Sequence, residues 1–135
     1  MIEYHELDDK DRDLIRAASE AIERNYSDPR HTVGAAVLCS SGTIHVGVNV
    51  ECCGYGPCAE PIAIGRAITE GEREIERIVA VSGPSEPHSV LSPCGNCRQL
   101  LYDYAPECWV ILPQASRIVK IRARYLLPHA YGDSD

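Results

Sequence analysis

The sequence predicts an α/β fold, a three-layer α-β-α sandwich around one mixed five-stranded sheet. Helical and strand-like segments alternate in the order α-β-β-α-β-α-β-β, followed by a short terminal helix, which is typical of this class. The hydrophobic fraction is 44% and the charged fraction 24%, as in ordinary folded proteins. No repeat, low-complexity tract or linker divides the 135 residues, so we expect one domain over residues 1–135.

The first half of the chain predicts a helix, a β-hairpin and a second helix. Residues 7–26 carry apolar side chains on one helical face and charges on the other, which indicates an amphipathic helix. Residues 33–39 and 43–49 surround a Ser-Ser-Gly turn, as in a hairpin. A loop rich in Gly, Cys and Pro over residues 52–57 precedes a predicted helix over residues 62–70, which a glycine ends.

The second half predicts three strands and one helix. Residues 78–82 are a short apolar run, which indicates a buried strand. We expect a polar loop over residues 83–93 and then a helix over residues 94–105, which the next residue, a proline, ends. Residues 109–112 and 117–121 predict the last two strands. The predicted sheet therefore has five strands.

Charge and hydropathy exclude several classes of partner. The formal net charge is −7, which disfavours nucleic acid, because proteins that bind it usually carry a basic stripe. The chain has no apolar run of 18 residues, so no membrane partner is expected. Its acidic first six residues lack the apolar segment of a secretory signal, which predicts a cytoplasmic location. A small polar molecule remains as the expected partner.

The cysteines indicate a metal centre. There are seven, and an odd number without an export signal favours metal or catalytic thiols over disulfides. Cys58 and the pair Cys94 and Cys97 lie where loops enter predicted helices. A Cys-x-x-Cys pair there can point both sulfurs at one ion, and the positive helix end favours thiolates. The remaining thiols are interpreted as buried or loop groups: Cys39, Cys52, Cys53 and Cys108.

Three thiolate ligands favour a catalytic zinc site over a structural one. Structural zinc sites have four protein ligands, whereas catalytic sites keep one position for water. Glu60, two residues after Cys58, is placed to take protons from a zinc-activated water and return them, as in zinc nucleobase deaminases. The alternative from another class is a non-catalytic structural zinc module, with His88 as fourth ligand and no role for Glu60; a redox-active Cys-x-x-Cys pair is another.

The chain resembles the zinc-dependent cytidine deaminase family from about Leu14 to Tyr131. The segments that carry the resemblance are VGAA at 33–36, GVNVE at 47–51, PCAE at 57–60, SPCGNCRQ at 92–99 and LLP at 126–128. The resemblance implies a small homotetramer whose active sites lie near subunit interfaces. It also implies the hydrolytic removal of the exocyclic amine from a cytosine nucleoside.

The resemblance also implies a role for each candidate site residue. Cys58, Cys94 and Cys97 would hold one zinc ion per chain, and Glu60 would carry the proton to the ring nitrogen and the leaving amine. Asn49 and Glu51 would bind ribose hydroxyls, and alternate residues at a strand end do point the same way. The further assignments are the Ala59 amide for the base carbonyl, the Ser92-Pro93 backbone for departing ammonia, Tyr131 for a neighbouring subunit's site, Arg98 for charge compensation, and His31, which either stacks on the substrate or is a loop histidine.

Departures from the family pattern leave the substrate open. Pro61 occupies the place of an arginine that commonly follows the catalytic glutamate, and the loop between Asn49 and Cys58 is short, as in blasticidin S deaminase. Glu51 favours ribosides, since that enzyme has no glutamate there. The predicted function is zinc-dependent hydrolysis of cytidine or deoxycytidine to uridine or deoxyuridine plus ammonia, in pyrimidine salvage. The alternative is deamination of blasticidin S or another modified cytosine nucleoside.

Overall fold

The computed structural model describes residues 2–132 and confirms the three-layer α/β arrangement. In chain order the elements are α1 Asp9–Asn25, β1 Val33–Cys39, β2 Ile44–Val48, α2 Ala59–Thr69, β3 Ile75–Ser82, β4 Ser89–Leu91, α3 Gly95–Tyr104, β5 Trp109–Gln114, β6 Arg117–Arg122 and a 3-10 turn Ala123–Leu126. Among the described residues, no helix is both long enough and apolar enough to cross a bilayer.

The sheet is mixed and has six strands, one more than the sequence predicts. Its strand order is β2-β1-β3-β5-β6, and β4 pairs with β3 off this path. Strands β3 and β5 are parallel, whereas the other pairs are antiparallel. The prediction of a loop over residues 83–93 is wrong at its end, where residues 89–91 pair with residues 80–82. Three residues are too few to show strand periodicity.

Helices cover both faces of the sheet. Helix α1 buries Leu14, Ala18 and Ile22 against β1 and β3 on one face. Helices α2 and α3 pack on the opposite face over a second apolar cluster. The approach of α2 to β2 is close, because a Cβ atom built on Gly47 would lie 2.6 Å from the backbone nitrogen of Ala63. The lack of a side chain at Gly47 therefore allows α2 to pack closely against the sheet edge.

Helix α1 begins at Asp9, later than predicted, because Asp8 caps it. The Asp8 carboxylate accepts from the Asp11 backbone N–H at 3.1 Å, and the Asp11 carboxylate accepts from the Asp8 N–H at 2.8 Å, a reciprocal capping box. Asp11 is fully buried and also accepts from Arg77 Nη1 and Lys120 Nζ, each at 2.7 Å. The first turn of α1 is thereby fixed to β3 and β6.

Removal of the Asp11 carboxylate is expected to destabilise the fold strongly. Asp11→Ala removes the buried carboxylate shared by the largely buried cations of Arg77 and Lys120 and leaves them the half-exposed carboxylate of Asp8. Loss of one partner from a buried ion pair costs about 3–5 kcal/mol, which urea unfolding would measure. Asp9→Ala is the matched control, because the Asp9 carboxylate is fully exposed and pairs with the exposed Arg12. Equal stability of the two variants would contradict this role for Asp11.

Stability is expected to fall in acid through Asp8. Burial raises the pKa of Asp8, but hydrogen bonds from the Arg77 guanidinium and the Asp11 backbone outweigh it and hold that pKa well below its usual range. A depressed folded-state pKa stabilises the protein above the unfolded value of about 3.9, and this stabilisation is lost as the pH falls. Asp8→Asn keeps a good helix cap and should flatten the decline in unfolding free energy below about pH 4. Parallel acid profiles for the two proteins would refute this assignment.

Candidate active site

Two helix N-termini meet at the candidate site and present cysteines in the same way. Cys58 is the N-cap of α2 with φ −65° and ψ 169°, and Cys94 is the N-cap of α3 with φ −72° and ψ 173°. The predicted start of the second helix at residue 62 is wrong, since α2 begins at Ala59. Pro61 lies inside the first turn, where a missing N–H costs no hydrogen bond.

Three thiols converge at a separation that suits one tetrahedral metal ion. The Sγ atoms of Cys58 and Cys94 are 3.5 Å apart, and so are those of Cys94 and Cys97. All three sulfurs lie within 4.8 Å of one another. Zn–S bonds of about 2.3 Å in tetrahedral geometry place sulfurs about 3.8 Å apart. The three side chains therefore fit zinc with little movement.

The electrostatics of the thiols differ between the two helix positions. Burial raises the pKa of Cys94, but the first-turn backbone N–H groups of Cys97 and Asn96, together with the neighbouring thiols, outweigh it and lower that pKa below its usual value. Burial and the negative charge of Glu60 raise the pKa of the Cys97 thiol far above its usual range. A bound metal cation deprotonates a thiol that coordinates it. The three sulfurs are therefore chemically suited to a metal site.

Glu60 lies in the first turn of α2, beside the thiols. Its side chain is almost fully buried, and burial raises the pKa of its carboxyl, although hydrogen bonds from its own backbone and from the Cys97 thiol act in the opposite direction. Pro93, in the loop before α3, is also buried. A buried carboxyl next to a group of metal-binding thiols is placed to exchange protons with a molecule bound there.

A cavity of about 200 Å³ opens onto this group. It contains Glu51 and Glu60 and, among the described residues that line it, no basic side chain. The lining residues are Thr32, Val33, Asn49, Glu51, Cys58, Ala59, Glu60, Leu91, Ser92 and Cys94. The thiols, the buried carboxyl and a polar end formed by Asn49 and Glu51 thus share one concave site, which is the usual form of a small-molecule site.

Asn49 and Glu51 form the polar end of the cavity. The Asn49 side-chain oxygen accepts from the backbone N–H groups of Thr32 at 2.7 Å and Val33 at 2.9 Å. Its amide nitrogen donates to Thr32 Oγ1 at 3.3 Å and to Glu51 Oε1 at 3.4 Å. Buried Asn49 is therefore fixed in orientation, and it holds the exposed Glu51 carboxylate beside it.

The comparisons with known proteins agree with this geometry. The model of the cytidine and deoxycytidylate deaminase zinc-binding region matches residues 8–112. The chain belongs to this family. It is an enzyme of the zinc-dependent cytidine deaminase type, an aminohydrolase, and the family's zinc-binding chemistry fits the thiols of Cys58, Cys94 and Cys97.

Individual relatives cover almost the whole chain. Blasticidin-S deaminase of Bacillus cereus is 37% identical over 132 residues, which are 93% of this chain and 94% of that one. Cytidine deaminase of Halalkalibacterium halodurans is 35% identical over 127 residues, covering 90% and 94%. The crystal structure of cytidine deaminase from Mycobacterium leprae superposes with a TM-score of 0.75 at 32% identity, covering 90% of this chain and 99% of that one. The predicted fold class is confirmed.

Four residues that the family resemblance implicates lie outside the cavity lining. Cys97 is buried behind it, and the others are His31, Tyr131 and Arg98. His31 is half-buried, and its Nδ1 lies 2.8 Å from the backbone oxygen of Asn49. Tyr131 is 89% exposed, and its backbone oxygen accepts from Gln99. Arg98 donates to the backbone oxygens of Pro93 at 2.8 Å and Leu126 at 3.1 Å, and to Ser92 Oγ at 3.0 Å. The guanidinium thus braces the loop that delivers Cys94.

The structure separates His88 from the thiols. His88 groups instead with Glu23 and Glu86, whose carboxylate oxygens lie 3.8 Å and 3.2 Å from its ring nitrogens. Among the residues that the structure describes, the metal-binding group around Cys58 contains three cysteines and no fourth ligand. This arrangement is that of a catalytic rather than a closed structural zinc site.

Sequence reasoning missed three lining residues. Thr32 and Val33 line the cavity where Asn49 accepts hydrogen bonds from their backbone N–H groups. Their position at the start of the small-residue strand β1 is the signal that could have identified them. Leu91 lines the site from β4, a strand that the sequence does not predict. Its contribution depends on pairing with β3 and has no local pattern.

Proposed function

We propose that the protein hydrolyses the exocyclic amine of cytosine nucleosides, converting cytidine or deoxycytidine to uridine or deoxyuridine and ammonia. The observation that carries the proposal is a single cavity lined by Cys58, Cys94, the buried Glu60 and the Asn49–Glu51 pair. The third thiol, Cys97, lies within 4.8 Å of the other two. The relatives described as cytidine deaminases support it. A role in pyrimidine salvage would follow from this activity.

In this proposal the chain's own residues bind the metal and move the protons. Cys58, Cys94 and Cys97 would hold one zinc ion, which when bound supplies a Lewis acid that makes water nucleophilic near neutral pH. Glu60 would accept a proton from the attacking water and deliver protons to the ring nitrogen and then to the leaving amine. The Ala59 amide would bind the base carbonyl, and ammonia would leave past the Ser92-Pro93 backbone.

The polar end of the cavity favours a nucleoside over a nucleotide. Asn49 and Glu51 would bind sugar hydroxyls, with the Asn49 amide donating and the Glu51 carboxylate accepting. A 5′-phosphate would add negative charge to a cavity that contains two carboxylates and no basic side chain among its described lining residues. Like charges repel in such a confined site, which disfavours deoxycytidylate and nucleic acid as substrates.

Arg98 and the helix ends would offset the charge of the thiolates. Three thiolates and one carboxylate exceed the charge of a zinc ion, and Pro61 supplies no cation where the family commonly has one. The N-termini of α2 and α3 carry partial positive charge at the sulfurs. Arg98 lies behind the same loop, bonded to Ser92 and Pro93, so we assign the remaining compensation to its guanidinium.

The expected assembly follows from the family resemblance, and the expected location from the acidic first residues of the sequence. We infer a homotetramer of single-domain chains in the cytoplasm, with Tyr131 reaching a neighbouring subunit's site and His31 stacking near the base. The Tyr131 side chain is 89% exposed, so it is free to contact another chain. Light scattering of the purified protein would measure the mass of the assembly, and a monomer at working concentration would contradict this inference.

Deamination of blasticidin S is the second candidate. The observations that favour it are the 37% identity to the blasticidin-S deaminase of Bacillus cereus and the short loop between Asn49 and Cys58. Glu51 separates the two candidates, because a hydroxyl-binding carboxylate benefits only substrates that carry those hydroxyls.

Glu51→Ala is expected to reduce kcat/KM for cytidine by about tenfold or more, since loss of a charged hydrogen-bond partner is typically worth at least that factor. Turnover of a cytosine compound without the contacted hydroxyls should change little, and blasticidin S turnover should be spared or rise. The measurement is ammonia release from each substrate by the wild type and the variant. An unchanged kcat/KM for cytidine in Glu51→Ala would contradict the assignment of a nucleoside substrate.

A further inference from the structure

A second group of metal-ligating side chains lies at the far end of β1 from the cavity. Cys39 is the last residue of β1, His45 is the second residue of β2, and Glu72 lies in the turn between α2 and β3. One donor atom from each lies within 4.8 Å of the other two. A seven-residue strand spans about 20 Å at roughly 3.3 Å per residue, so this group is remote from Val33 at the cavity.

The three side chains are largely buried, and hydrogen bonds hold them and the surrounding segments in place. Cys39 is 1% exposed, and the side chains of His45 and Glu72 are 9% and 20% exposed. His45 Nε2 lies 2.7 Å from Glu72 Oε2, and hydrogen bonds with the Ser41 hydroxyl and the Cys39 thiol also engage the carboxylate of Glu72. The hairpin turn is joined to the α2–β3 segment by a bond from the Ser40 N–H to the Glu74 oxygen at 2.9 Å.

We propose that Cys39, His45 and Glu72 form a second zinc site, which lies apart from the substrate cavity and stabilises the fold. A thiolate, an imidazole and a carboxylate are all ordinary zinc ligands, whereas Mg²⁺ and Ca²⁺ prefer oxygen alone. The thiolate and the carboxylate together balance the two positive charges of the ion. A neutral complex suits a largely buried position, because an uncompensated buried charge is costly.

The geometry accommodates the ion with small side-chain movements. Zinc bonds of about 2.0–2.3 Å place tetrahedral donors roughly 3.3–3.6 Å apart, so the His45–Glu72 pair must open by less than about 1 Å from its present 2.7 Å. On binding, the Cys39 thiol proton leaves to solvent and the imidazole proton moves from Nε2 to Nδ1. One proton is thus released for each zinc ion. The partly exposed side of Glu72 leaves the fourth position to water.

The proposed zinc ion would cross-link two parts of the chain that are far apart in the sequence. His45 and Glu72 are 27 residues apart, and the ion would join the β1–β2 hairpin to the segment that follows α2. This cross-link would stabilise the folded protein by an amount that grows with the logarithm of the zinc concentration above the Kd, without any contact with substrate.

Zinc counting in matched variants tests the proposal. The full-length protein is saturated with zinc, dialysed against metal-free buffer and analysed by inductively coupled plasma mass spectrometry. We expect two zinc ions per chain in the wild type and in the control Glu74→Gln, which makes the same change at an exposed carboxylate that is not a ligand. We expect one fewer in Cys39→Ser and in Glu72→Gln. Glu72 is the more exposed ligand, and circular dichroism would establish that its variant is folded.

A zinc content that neither Cys39→Ser nor Glu72→Gln lowers would overturn the proposal. Loss of the second ion in Cys52→Ser instead would assign it to an exposed loop thiol, which also overturns it. Cobalt substitution gives an independent readout, because the near-ultraviolet thiolate-to-cobalt band should weaken in Cys39→Ser. None of these measurements depends on deaminase activity, so their failure is distinguishable from failure of the proposed function.

Discussion

Glu60→Gln is expected to abolish deamination while leaving the protein folded and loaded with zinc. Glutamine keeps the shape of the buried side chain, but it cannot accept a proton from water or return one to the substrate. General acid–base groups typically contribute about 10²–10⁴-fold to rate, and Glu60 would serve several proton steps, so kcat should fall by at least that factor. The measurement is kcat for cytidine by ammonia release, with zinc content determined on the same sample.

The control for this experiment is a carboxylate outside the cavity. Glu70 is an exposed residue at the end of α2, and Glu70→Gln makes the same chemical change at the other end of the same helix. Its kcat should equal that of the wild type. Near-normal turnover by zinc-loaded Glu60→Gln would remove Glu60 from the mechanism.

Cys94→Ala is expected to lower the zinc content by one ion per chain and to eliminate activity. Cys94 lies at the centre of the thiol group, 3.5 Å from each of the other two sulfurs, so its loss leaves only two protein ligands. Metal binding is coupled to folding, and a ligand at a thousandfold its Kd contributes about 4.1 kcal/mol. The thermal midpoint should therefore fall, and added zinc should no longer restore it.

Cys52→Ala is the matched control for the loss of a thiol. Cys52 is exposed in the loop before Cys58, and its thiol donates to the Tyr55 backbone oxygen at 3.0 Å. This variant should retain wild-type zinc content and activity. The ligand assignment fails if Cys94→Ala binds as much zinc as Cys52→Ala does.

The sequence predicted the layers and the two cysteine-bearing helix starts because their signals are local. The apolar stripe of α1 shows helical periodicity, and β1 is a continuous run of small and apolar residues. Cys58 and Cys94 each precede a helical segment. Helix α2 begins at Ala59, three residues before the predicted start at residue 62, and its first turn contains Pro61. Strand β4 was missed because its three residues depend on pairing with β3.

Contacts between distant segments account for what sequence reasoning did not find. Leu91 reaches the cavity only because β4 joins the sheet, and Arg98 bonds to Leu126 from 28 residues away. The group of Cys39, His45 and Glu72 combines residues of a hairpin with a residue after a helix, so no local sequence motif predicts it. Asn49 and Glu51 were identifiable because a strand end places alternate side chains on one side.

Ammonia release from cytidine by the zinc-loaded protein is the decisive measurement of the proposed function. We expect one ammonia and one uridine for each cytidine consumed, with Glu60→Gln as the inactive blank. Deoxycytidine should behave in the same way, and cytidine 5′-phosphate should be a poorer substrate. Turnover of blasticidin S alone would transfer the function to the second candidate. A fully zinc-loaded wild type that releases no ammonia from cytidine or deoxycytidine would contradict the proposed deamination of cytosine nucleosides.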